Sequence, residues 1–294
     1  MKPPEESYGA ATHRVVTHAG VAPPDAWVRA ENAVLETLLS AGLTVHVSLA
    51  AAYLERSAPA ASDALTDRPA PEQSPLSTTQ TVVELTPADA ALPAAHLSVD
   101  PTDGAVPAWR RQAIDEIVAF DPETGSWTYY SVPRKPAVRA IDEPGSDWKS
   151  GLREALADVP CTALFPHGAL ARWEVADVAV ELTVEGLWLG RADGTTRWYP
   201  HEHLEGVVVD ERECELVLSW PDWRDRADSS LGRVVRGIVD RVRESPPRLL
   251  HPPDEATLST AATAFELLSE RLCYGFEVRR HDRDADAGVA SRLR

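Results

Sequence analysis

Apolar residues in this chain recur at every second position over short stretches that end in Gly, Pro or Asp turns, and that period commits much of it to antiparallel sheet. Leu43, Val45, Val47 and Leu49 alternate with Thr44, His46 and Ser48, as in a half-buried strand. Residues 117–120 run into Asp121-Pro122-Glu123-Thr124-Gly125 and return as 127–132. Proline presets one turn dihedral there and glycine accepts a positive one, so a hairpin is expected. From Arg172 to Trp220 the pattern becomes a meander. Val178, Val180, Leu182 and Val184 alternate with polar partners, Glu185-Gly186 turns the chain, and Leu187 and Leu189 lead to a second turn at 191–194. Residues 206–209 and Cys214, Leu216, Leu218 and Trp220 flank the charged turn 210–213. Further strands are expected at 81–86 (TVVELT) and 96–99.

Helical periodicity punctuates this pattern. After the N-cap residue Asp25, Trp27, Val34, Leu38 and Ala41 share a face until Gly42 stops the helix. Residues 147–159 place Trp148, Leu152, Leu156 and Val159 on one stripe, in a helix that fits either neighbouring domain. Leu231, Val234, Val235, Ile238, Val239 and Val242 form an amphipathic helix. A last helix starts at the cap Asp254, is lined by Leu258, Ala262, Phe265, Leu268 and Leu272, and ends at Gly275. Residues 56–80, rich in Ala, Pro, Ser and Asp without apolar periodicity, read as a long mobile loop. Residues 281–294 read as a disordered tail, and the prolines and Gly145 of 133–146 as a boundary. The expected class is α+β: an α/β domain over 1–145, then a domain over 146–280 in which an antiparallel meander is closed by C-terminal helices.

The charge constrains the setting more than the fold. Forty-six Asp and Glu oppose 29 Lys and Arg, a formal net charge of -17, and the lysines are Lys2, Lys135 and Lys149 alone. An acidic, lysine-poor surface keeps a protein hydrated where molar salt has collapsed the screening length. The expectation is a halophilic protein of a salt-in cytoplasm, of the haloarchaeal kind. Acidity of that origin says nothing about a nucleic-acid partner, because such surfaces are acidic whatever they bind. The amino terminus shows no charged-then-apolar leader, no stretch approaches a membrane span, and no membrane partner is expected. Cys161, Cys214 and Cys273 are odd in number and widely spaced, which points to neither a disulfide framework nor a zinc knuckle, and fits a reducing cytosol.

Few motifs carry chemistry. GxGxxG, P-loop, GxSxG and HExxH patterns are absent. His201-Glu202-His203 is the tight cluster of potential metal ligands, since residues two apart on a strand face one side; without a third ligand it reads better as a solvated turn. Seven arginines lie between Arg224 and Arg248, with Arg233, Arg236 and Arg243 off the apolar stripe of their helix. They are the candidate binding cations, weighed against a charged helix face whose stems cover apolar surface. Trp220 and Trp223 read as a core edge rather than a stacking platform.

In the first 135 residues the order of elements and the hairpin IVAFDPETGSWTYYSVP resemble the restriction-endonuclease-like, PD-(D/E)XK nuclease superfamily. The resemblance places Glu31 or Glu36 on an acidic helix, Asp63 or Asp67 in a loop, and Glu84-Leu85-Thr86 where the (D/E)-x-K would fall. Thr86 stands in place of the lysine that in active members stabilises charge at the phosphate. Residues 172–280 resemble pleckstrin-homology-like domains in architecture, which implies a binding scaffold and no particular ligand. The expected function is a non-catalytic macromolecule-binding protein with a degenerate nuclease-like domain, needing no cofactor, its partner a protein or a nucleic acid. The alternative is a Mg2+-dependent DNA endonuclease using Glu36, Asp67 and Glu84.

Overall fold

A computed structural model describes residues 11–76, 80–93, 113–133, 135, 139–141, 147–221 and 246–281. The chain is α+β and divides into two compact units, Met1–His167 and Gly168–Arg294.

In the first unit, β1 (His13–Thr17), α1 (Ala26–Ser40), β2 (Thr44–Leu49), α2 (Ala51–Ser57), α3 (Pro59–Thr66), β3 (Thr81–Leu85), β4 (Ile114–Phe120), β5 (Trp127–Ser131), β6 (Arg139–Ile141), α4 (Asp147–Ala157) and β7 (Thr162–Pro166) follow in order. The strands form one seven-stranded sheet, β3-β2-β4-β5-β6-β1-β7, antiparallel at every pairing. Val45, Val47 and Leu49 of β2 join Val34, Leu35, Leu38 and Leu39 of α1 and Leu152 and Leu156 of α4 in the main core. Packing of α4 on α1 assigns that helix to the first unit, with the division falling after His167. The opposite face carries a smaller cluster that includes Leu76, Val118, Phe120, Trp127 and Tyr130. With both faces covered, β2 is buried at every position, where alternation had predicted a half-buried strand. The hairpin forms as expected: Gly125 takes φ 68°, its N–H bonds the Asp121 carbonyl at 2.8 Å, and the Asp121 carboxylate accepts the Glu123 N–H at 2.8 Å.

Two expectations change here. The segment 56–80 contains α3, begun by Pro59 at its first turn and seated by Ala61 and Leu65 in the core, because alanine is a strong helix former even in low-complexity sequence. Cys161 and Cys273 are disulfide-bonded and Cys214 is free, where chain spacing had pointed to no disulfide. Spacing does not report pairs that the fold makes, and the cysteines no longer argue for a reducing compartment.

The second unit contains β8 (Ala171–Val175), β9 (Val178–Leu182), β10 (Gly186–Arg191), β11 (Thr196–Pro200), β12 (Gly206–Asp210), β13 (Glu215–Ser219), β14 (Leu249–Leu250), α5 (Glu255–Leu272) and β15 (Glu277–His281). They form two four-stranded sheets, β11-β10-β9-β8 and β14-β13-β12-β15. The meander accounts for β8 to β13, and α5 packs on β8, β12, β13 and β15. Asp254 caps α5 by accepting the Thr257 N–H at 2.7 Å, as expected, but left-handed Cys273 (φ 57°), not Gly275, closes it. Beyond it β15 adds to β12 in parallel. Residues 222–245, with the arginine helix and Trp223, and residues 282–294 lie outside the described residues. No described helix is long and apolar enough to cross a membrane.

Candidate functional site

The carboxylates of the nuclease resemblance sit apart. Glu84 on β3 lies opposite His46 on β2, on the face away from α1, the helix that carries Glu36. Asp67 is exposed at the end of α3, and Asp63 is exposed within it. Glu31 is buried, its carboxylate accepting the Ser131 hydroxyl at 2.5 Å. Among the described residues no group of three or more His, Cys, Asp or Glu side chains is placed to hold a metal ion. Thr86 has a local duty: its N–H and hydroxyl donate to the Asp89 carboxylate at 2.9 and 3.1 Å, capping a single turn at Pro87–Asp89.

Glu84 instead belongs to a hydrogen-bonded relay. His46 Nε2 lies 3.2 Å from Glu84 Oε2, and His46 Nδ1 lies 3.1 Å from Ser74 Oγ. Burial holds the His46 pKa below its usual value against the opposing pull of Glu84, so the neutral ring donates to the carboxylate and accepts from the hydroxyl. Serine, imidazole and carboxylate in that order make an activated nucleophile where a substrate can reach the serine. Here the Ser74 oxygen also accepts the Leu76 N–H at 3.1 Å, and Leu76 inserts into the smaller core cluster. The relay anchors residues 74–76 on the sheet.

The two histidines of the 201–203 cluster part company. The cluster is a single 3-10 turn rather than a strand, with His201 buried and His203 half-buried. His201 Nε2 donates to the Thr183 carbonyl at 2.9 Å and its ring packs among Phe265, Tyr274 and Phe276. Burial pushes its pKa down to about 4. Trp220 is a core-edge residue as expected, its indole N–H donating to the Pro247 carbonyl at 2.7 Å. A cleft of about 200 Å³ lined by Val209, Glu211, Glu255, Leu258, Ser259 and Arg280 lies beside α5, below the size of an ordinary ligand site.

What chain reading missed is on the sheet β8–β11. One face packs inward through Trp173, Val180, Leu182 and Leu187. The other is open, and across it Arg172, Glu181, Trp188 and Trp198 stand in one row, each directly opposite the next. Trp188 and Trp198 remain 39% and 48% exposed, with ring centroids 5.9 Å apart and planes tilted by 32°. The Trp198 ring rests on Gly186: a Cβ there would collide with the indole nitrogen and lie 2.6 Å from the Tyr199 carbonyl. The signal was present in the chain, since Leu187 and Leu189 take the apolar phase of β10 and leave Trp188 in the polar one.

No protein-family model matches the chain, and neither a curated protein nor a solved structure matches it.

Proposed function

We propose that this chain is a macromolecule-binding protein whose contact surface is the open face of the sheet β8–β11. The observation that carries the reading is the Trp188–Trp198 pair. Two neighbouring indoles in the solvent-facing phase of adjacent strands cost solubility, and large aromatics of this kind dominate contact energies when covered. In this reading the second unit is the binding scaffold that its pleckstrin-homology-like resemblance implies. The nuclease resemblance of residues 1–135 is kept as a resemblance of scaffold alone, because Glu84 is spent on His46 and the sheet separates it from Glu36. The experiment is affinity purification of the full-length chain from its own cells beside the double variant Trp188→Ala, Trp198→Ala. A macromolecule held by the native chain and absent from the variant, at equal melting temperature, is the expected outcome. Equal recovery from both would move the contact surface elsewhere.

A further inference from the structure

Resting on that reading, we infer that the Trp188–Trp198 platform binds an uncharged, linear polysaccharide, a sugar ring against each indole. An indole face carries the negative lobe of its quadrupole, so it attracts groups whose hydrogens are positively polarised. The C–H faces of a sugar ring, flanked by electron-withdrawing oxygens, are such groups, and covering them releases water from both apolar surfaces. Gly186 and Gly190 flank Trp188 on its own strand and share its face: the Trp198 ring covers Gly186, and Gly190 raises no side chain on the other flank to block a flat ligand. The two indoles are neighbours across β10 and β11, which suits a polymer that offers one ring after another.

The charges on this face select among ligands. Arg172 stands against Glu174 and Glu181, leaving no cationic excess for a phosphate backbone, whereas single-stranded nucleic-acid sites join their aromatic platforms to a positively charged groove. Glu181 lies directly beside Trp188 and accepts only from a donor. A polyol brings hydroxyl donors to that carboxylate and hydroxyl acceptors to Arg172 and Thr196, while a proline-rich strand brings no N–H from its prolines.

The test is affinity electrophoresis of the full-length chain through gels containing, in turn, starch, a mixed-linkage β-glucan, a glucomannan, a xylan and a galactan, beside a polymer-free gel. The native chain is expected to be retarded by at least one of them. Trp198→Ala and Trp188→Ala should each weaken that retardation by roughly tenfold or more, the scale on which removing one aromatic stacking partner acts. Gly186→Ala keeps both tryptophans but its Cβ displaces the Trp198 ring and crowds the Tyr199 carbonyl, and it is expected to weaken retardation too. Parallel titrations with a labelled oligothymidylate and a proline-rich peptide separate the two levels of the argument. Tryptophan-dependent binding of either probe, without retardation by any polysaccharide, overturns the polysaccharide and leaves the binding face standing. No tryptophan-dependent binding of any probe overturns the polysaccharide, and the purification described above then decides the face.

Discussion

His201 shows how one side chain sets a limit on the second unit. It is 1% exposed, its Nε2–H serves the Thr183 carbonyl, and the protonation site Nδ1 meets no hydrogen-bond partner. Its folded pKa of about 4 lies below the ordinary 6.5, so the unfolded chain binds the proton more tightly. Stability from this group is therefore fully present above about pH 6.5 and is lost as pH falls towards 4, a loss of about 3 kcal/mol by linkage. Urea titrations across that window should show the decline, and His201→Gln, which does not titrate there, should flatten it. A slope unchanged by that substitution would mean another group carries the acid sensitivity. In the first unit Ser131→Ala withdraws one donor from the buried Glu31 carboxylate and is expected to destabilise by about 1–3 kcal/mol in the same measurement.

Whole elements depend on cores that the sequence reports unevenly. Phe265 on α5 is buried against His201 and Phe276, and Phe265→Ala is expected to cost about 3–5 kcal/mol, read from thermal or urea melting. A cost below about 1 kcal/mol would mean that α5 is not seated on these sheets as described. That helix was legible because its apolar residues fall on one stripe behind the cap Asp254. The β4–β5 hairpin was legible from its turn residues, and β8, β9, β12 and β13 of the meander from alternation, since each of these four buries one phase against the unit's own core. Strand β15 was not, because EVRRH holds a single apolar residue and gains its place by parallel pairing with β12, which no local pattern encodes. Helix α3 was hidden by composition that resembles a loop. The exposed tryptophan face proposed for binding was half legible: the phase of Trp188 can be read in β10, but its pairing with Trp198 needs the register of the hairpin. The Ser74–His46–Glu84 relay joins three segments, and only the fold brings them together.

At the scale of the molecule the charge is the dominant feature. With a formal net charge of -17, self-repulsion opposes compaction in dilute buffer, and salt both screens it and strengthens apolar burial. The melting temperature is expected to rise from dilute buffer to about 2 M KCl, where screening is nearly complete; a flat or falling curve would show that the acidity is not an adaptation to salt. Binding carried by aromatic stacking to an uncharged ligand should survive that salt, whereas phosphate contacts weaken steeply with it. The direct measurement is hydroxyl-radical footprinting of the native chain in molar KCl, free and with its retained macromolecule bound. Trp188 and Trp198 are predicted to become protected together while Trp220, half-buried beside Tyr199, keeps its reactivity. Unchanged oxidation of both exposed tryptophans, with protection appearing at another surface, would contradict the account.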